Sequence, residues 1–210
     1  MTRIPREFSV EKAVELQKKL SRMILRSRPP GKVKFVSGLD SAYKGEKAFA
    51  AAVTVDCRTM ETQEITTARS IIRFPYVPGL LAFREAPALI TAARKLEKKP
   101  DVYLVDGHGF AHPRRFGLAC HVGLALDTPT IGVAKSRLCG VLFKSKLKDK
   151  NETIGAVFSR GPRKPLYVSV GHKISLRESL RIVSRCFCTT TRDPITLAHM
   201  EANKMRKEYA

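Results

Sequence analysis

Residues 102–134 read VYLVDGHGFAHPRRFGLACHVGLALDTPTIGVA. Val102 to Val105 is a short apolar run ending in the turn pair Asp106-Gly107, and reads as a buried strand. Leu118, Ala119, Val122, Ala125 and Leu126 then recur at helical spacing, and Thr130 to Ala134 is a second apolar run. Strand, helix and strand joined this closely imply a parallel crossover within one sheet. Upstream lie three more apolar runs, Val33 to Leu39, Phe49 to Val55 and Ile65 to Ile72, separated by turn material at Lys44 to Lys47 and Asp56 to Glu61. Short links between strands predict an antiparallel meander.

A meander feeding a parallel crossover is the ordering of an α/β mixed sheet flanked by helices, the pattern of the ribonuclease H-like nucleases. The remaining elements are compatible with it. Val10, Ala13, Val14, Leu20, Met23 and Ile24 share a face of a helix over about 10–26, stopped by Pro29, Pro30 and Gly31. Leu89, Ile90, Ala93 and Leu96 predict a helix from Pro87 to Lys98, with the proline in its first turn. Thr153 to Phe158 and Leu166 to Val170 read as a late strand pair. Ser175 and Glu178 form a capping-box pattern for the helix that follows. Asp193-Pro194 opens a basic C-terminal helix expected to fray near Lys207. No repeat or low-complexity linker interrupts the chain, so a single domain over 1–210 is expected.

The 210 residues carry 39 Lys and Arg against 19 Asp and Glu, a formal charge of +20, which makes a polyanion the leading partner class. Cys57, Cys120, Cys139, Cys186 and Cys188 form no CxxC pair and are odd in number, which suggests neither a zinc knuckle nor a disulfide framework and fits a reducing cytoplasm. Arg3, Arg6 and Glu7 interrupt the N-terminus. No apolar run approaches the roughly 18 residues needed to span a bilayer, so no membrane partner is expected.

In so basic a chain, carboxylates at strand ends beside glycines stand out, because a carboxylate facing phosphates is repulsive unless a cation lies between. Asp40 follows one strand, Asp106 ends another, and Glu85 lies just before the helix opened by Pro87. Hard oxygen ligands suit Mg²⁺, with Mn²⁺ as a substitute, and phosphodiester hydrolysis is the expected chemistry. Asp101 and Asp127 read as turn or cap residues.

Beside these acids stand specific strings: Gly38-Leu39-Asp40-Ser41-Ala42-Tyr43, the run from Pro75-Tyr76-Val77-Pro78-Gly79 to Glu85, Val105-Asp106-Gly107-His108-Gly109, Ala111-His112-Pro113-Arg114-Arg115 and Gly132-Val133-Ala134-Lys135-Ser136. Together, from about residue 33 to His172, they closely resemble the endonuclease V family. That resemblance implies a ribonuclease H-like fold, a Mg²⁺-dependent nuclease, and hydrolysis of the second phosphodiester bond 3′ to deoxyinosine or inosine, initiating DNA repair. It implies metal binding by Asp40, Glu85 and Asp106, with Lys135 and His172 as further active-site residues. It also makes the Pro75 to Gly79 segment a strand-separating wedge carrying Tyr76, Val77 and Pro78.

Gly79, Leu80, Leu81 and Gly107 are the expected walls of a pocket separating hypoxanthine, with O6 and N1–H, from adenine. Arg114 and Arg115, with His112 nearby, are expected on backbone phosphates. Lys144, Lys146, Lys148 and Lys150 read as a basic face on a mobile connection. The expected partners are DNA containing deoxyinosine and inosine RNA, bound by a monomer. Two alternatives stay open: another ribonuclease H-like nuclease, structure-specific or RNA-directed, and a noncatalytic nucleic-acid-binding module. Mapping product ends on inosine and normal strands separates them.

Overall fold

The computed structural model describes residues 9–27, 31–188 and 192–209. The meander is β1 (Phe35–Lys44), β2 (Lys47–Asp56) and β3 (Thr62–Ile71), paired antiparallel. The crossover that follows is α2 (Leu81–Lys95), β4 (Val102–Asp106), α3 (Leu118–Leu126) and β5 (Thr130–Ala134), with β4 parallel to both β1 and β5. The short strands β6 (Val141–Phe143) and β7 (Lys146–Asp149) and the longer β8 (Glu152–Arg160) and β9 (Arg163–His172) complete one nine-stranded sheet in the order β3-β2-β1-β4-β5-β9-β8-β7-β6. Helix α1 (Val10–Ser21) precedes the sheet, and α4 (Leu176–Cys188) and α5 (Pro194–Glu208) follow it.

Alternation along the Ala-rich β2 explains why helices cover both faces at this point. Ala48, Ala50 and Ala52 pack with Ala82, Ala86 and Leu89 of α2, whereas Ala51 and Val53 pack with Ala198 and Ala202 of α5. Small side chains on both partners let the helices approach the sheet closely.

Several boundaries differ from the sequence expectation, and each shift moves a chemically important residue. Strand β1 runs on to Lys44, so Asp40 lies inside it and not after it; its ten-residue pairing with β2 sustains the extension. Helix α2 starts at Leu81 and carries Pro87 in its interior, which puts Glu85 on the helix. An interior proline costs roughly 3 kcal/mol, and the buried face of Ala82, Ala86, Leu89 and Ala93 offsets it. Helix α1 ends at Ser21, short of residue 26; Arg3, Arg6, Glu7, Pro29, Pro30 and the Cys188 side chain lie outside the described residues. The lysine-rich connection is a β6–β7 hairpin, with Lys144 turning at φ 54°.

Candidate active site

In the β1–β4 pairing, Leu39 faces Val105, so Asp40 and Asp106 follow on adjacent strands at the same end of the sheet. Glu85 approaches from α2. Asp40 is 8% exposed and Glu85 9%. Burial first, and then the nearby Asp106, push the Asp40 carboxyl above its usual range. Burial likewise pushes Glu85 up to about 7; Asp40 and Asp106 add to the rise, against a hydrogen bond from Tyr43. The three acids therefore feel one another. Among the described residues, however, no three His, Cys, Asp or Glu side chains are grouped so as to hold a metal by themselves.

Two cationic or hydrogen-bonding groups complete this end. Lys135, just beyond β5, donates from Nζ to Asp106 Oδ2 at 2.6 Å. Burial lowers the Lys135 ammonium, but the Asp106 contact more than offsets this and leaves it above its ordinary value. On the other side, His199 donates from Nδ1 to Asp40 Oδ2 at 2.7 Å, and Asn203 Nδ2 lies 3.1 Å from His199 Nε2. The backbone N–H of Ser41 satisfies Asp40 Oδ1 at 2.7 Å.

His199 was not among the residues expected at the site. It arrives because α5 sits directly on Gly38, where a Cβ would lie 2.1 Å from the carbonyl oxygen of Pro194. The chain carries two traces of this arrangement: the Asp193-Pro194 helix start, whose carboxylate accepts from Thr196 N at 2.9 Å, and the polar pair His199 and Asn203 one turn apart.

His172 is not brought to the acids. It pairs with Thr130 at the start of β5, whereas Asp106 pairs with Val133 near its end, roughly 10 Å away along the strand by the usual rise. Its ring lies 3.8 Å from Asp127 and accepts from Leu25 N at 3.4 Å, ties that anchor the segment after α1. The Gly171-His172 string marks a strand end, but β9 runs antiparallel to β5, so that end is the far one.

A cavity of about 200 Å³ opens beside Asp106 and Glu85. Tyr76, Pro78, Gly79, Leu81, Gly107 and His112 line it, and Tyr76 is 69% exposed at its mouth. Leu80 does not line it; its side chain packs inward with Ala13 and Phe74. Gly79 adopts φ 78°, and its carbonyl accepts from Arg114 Nη2 at 2.7 Å and from Gln17 Nε2 and His112 Nε2 at 3.0 Å each. Gln17, fully buried on α1, also bonds the Phe116 carbonyl and accepts from Arg114 Nε. Sequence reading missed this residue, because a lone glutamine on an amphipathic helix looks like a solvated one.

His112 is held neutral, with Nε2–H donating to Gly79 O and Nδ1 accepting from the Arg114 N–H at 3.2 Å. Burial, then the Arg114 charge, pushes it down to about 4. These bonds tie His112 and Arg114 to the chain itself. Arg115 is likewise engaged, with Asp149 and Glu152 at 2.8 Å each.

Residues 15–201 match the family model described as Endonuclease V. The chain belongs to the endonuclease V family. An endonuclease V from Thermofilum pendens is 42% identical over 209 residues, covering 95% of this chain and 90% of its own. The crystal structure of endonuclease V from Streptomyces avermitilis superposes with a TM-score of 0.87 at 33% identity, covering 98% of this chain and 96% of that one. That from Ciona intestinalis, in complex with a 24mer DNA containing an inosine followed by a ribo-adenosine, superposes at 0.84 with 31% identity, covering 96% and 99%. The chain is thus a nuclease of this family with the ribonuclease H-like mixed sheet expected from its sequence. No helix among the described residues is long and apolar enough to cross a membrane.

Proposed function

We propose that this enzyme is a Mg²⁺-dependent endonuclease that draws a deaminated base, hypoxanthine, into the cavity beside Asp106 and hydrolyses the second phosphodiester bond on its 3′ side, initiating repair. The observation that carries the reading is the shared wall: the Tyr76 to Gly79 segment and the acids Glu85 and Asp106 line one cavity. A base held there keeps its own backbone within reach of the carboxylates.

The donor set fits a hard divalent cation. Asp40, Glu85 and Asp106 offer only oxygen, and crowding that raises the Asp40 and Glu85 carboxyls is the condition a cation relieves. Mg²⁺ takes one or two protein carboxylates and completes its shell with water and phosphate oxygens; Asp40 and Asp106 supply these, with Glu85 beside them. When bound, the ion acidifies the attacking water and offsets charge on the phosphate. Lys135 keeps its proton beside Asp106 and faces the charge that builds on the departing 3′ oxygen. His199 holds Asp40 in one rotamer.

Tyr76 fills the gap left by the extruded base, whose removal costs a few kcal/mol and least when it is mispaired. The Gly79 carbonyl is saturated by its three donors and is not left to accept the N1–H of the base; the first N–H groups of α2, at Leu81 and Ala82, have no intrahelical acceptor and are the donors offered to O6. The ribo-adenosine in the Ciona complex supports inosine RNA as a second substrate.

The test is a labelled oligonucleotide, DNA or RNA, with a single inosine, incubated with and without Mg²⁺, with product ends mapped. Asp40→Ala and Asp106→Ala should abolish nicking while binding stays measurable. Undiminished Mg²⁺-dependent nicking by both rejects the assignment.

A further inference from the structure

Asp106 separates two cavities. On the side away from the base cavity lies a second, of about 240 Å³, bounded by Lys135, His199, Arg160 and Phe187, with Leu166 and Ile195 contributing apolar wall. We propose that this second cavity is an anion subsite in which Arg160 holds the first phosphate of the strand beyond the cleaved bond. The inference rests on the endonuclease reading above and adds to it a substrate contact on β8, four strands from β1.

Arg160 is built to receive an anion. Its Nε and Nη2 both donate to the Lys164 carbonyl, at 3.1 and 2.8 Å, and its guanidinium lies 6.0 Å from the Phe187 ring centroid. A guanidinium has five N–H groups, so three remain for a ligand while the fork is already oriented. Among the described residues Arg160 makes no ion pair, whereas Arg115 is bound to Asp149 and Glu152. An oriented, unneutralised guanidinium on a cavity wall differs from a solvated surface arginine in having little rotamer freedom left to lose on binding.

The two acids that face the cavity keep their charge but are engaged by partners other than Arg160. Asp106 is matched by Lys135, and Asp193 is turned to the N–H and hydroxyl of Thr196, at 2.9 and 2.8 Å. Lys135 spends one of its three donors on Asp106 and its side chain is 65% exposed. A strand whose base occupies the first cavity passes over Asp106, and its continuation meets Lys135 and Arg160. The apolar wall of Leu166 and Ile195 accommodates a sugar but offers no hydrogen bond to a base, so the contact is independent of sequence.

The experiment uses two inosine strands that end one nucleotide past the cut, one with a 3′-hydroxyl and one with a 3′-phosphate. For the unaltered enzyme, the terminal phosphate should lower KM about tenfold, the order expected of one charge-assisted contact, with kcat unchanged. Arg160→Ala should erase that difference and leave turnover of the 3′-hydroxyl strand as it was, and Arg160→Lys should retain part of it. An unaltered enzyme indifferent to the phosphate, or an Arg160→Ala variant that keeps the full preference with an unchanged melting temperature, overturns the subsite while leaving the endonuclease reading intact. If neither strand is cut, the endonuclease reading itself fails and the subsite with it.

Discussion

His199 Nδ1 and Asp40 Oδ2 meet at 2.7 Å although 159 positions separate them in the chain. The contact fixes the carboxylate from outside the sheet, and Asn203 in turn contacts the imidazole. Losing a partner that orients a metal ligand typically costs 10–100-fold in metal affinity or activity. His199→Ala should therefore raise the Mg²⁺ concentration for half-maximal nicking by about that factor, with no change in melting temperature. His172→Ala should do the reverse, lowering the melting temperature and leaving the Mg²⁺ dependence in place. A titration of nicking against Mg²⁺ for the two variants decides it.

Gln17 should matter more than its place on a surface helix suggests. Gln17→Ala removes a donor from both Gly79 and Phe116 and an acceptor from Arg114, all inside the fold. We expect a loss of about 2–3 kcal/mol in urea unfolding and a raised KM for inosine substrate, because the cavity wall loses a tie. Gly79→Ala should act in the same direction, since its Cβ would lie 2.8 Å from Arg114 Nη2 at φ 78°.

The pH dependence of stability should carry the signature of His112. Its folded pKa of about 4 lies below the ordinary 6.5, so between these values the unfolded chain holds more protons. Stability then falls as pH drops through that window, by on the order of 3 kcal/mol, and is unaffected by this group above it. Glu85, held up to about 7, works with the opposite sign over much of the same range. The informative quantity is therefore the difference between the unaltered protein and His112→Gln, which should shrink steadily from pH 6.5 to pH 4.5; a constant difference would count against a neutral His112.

Tyr76 projects from the cavity mouth and packs little against the chain. Tyr76→Ala should leave the melting temperature unchanged and slow cleavage of inosine in duplex about tenfold more than in an unpaired strand, since only the duplex must be opened. Equal slowing on both substrates would remove the wedge role.

Local pattern was enough for the β4–α3–β5 crossover, because Val102 to Val105 and Thr130 to Ala134 are bounded by turn residues and bury both faces. It failed at Pro87, which reads as a helix start but sits mid-helix, where packing of the surrounding alanines on β2 outweighs the proline's own preference. It failed again at β1, whose end depends on pairing with β2 and not on its own residues.

The sequence alone determined that strands, helix and acids occur in this order, and that Asp106 and Lys135 lie at strand ends, because periodicity and turn chemistry act over a few residues. Only the tertiary structure decided which histidine reaches the carboxylates. The antiparallel course of β9 carries His172 to the far end of the sheet, and the absence of a side chain at Gly38 lets α5 settle on β1 with His199 over Asp40. Strand direction and close approach are properties of the packed sheet, and no short window of residues encodes them.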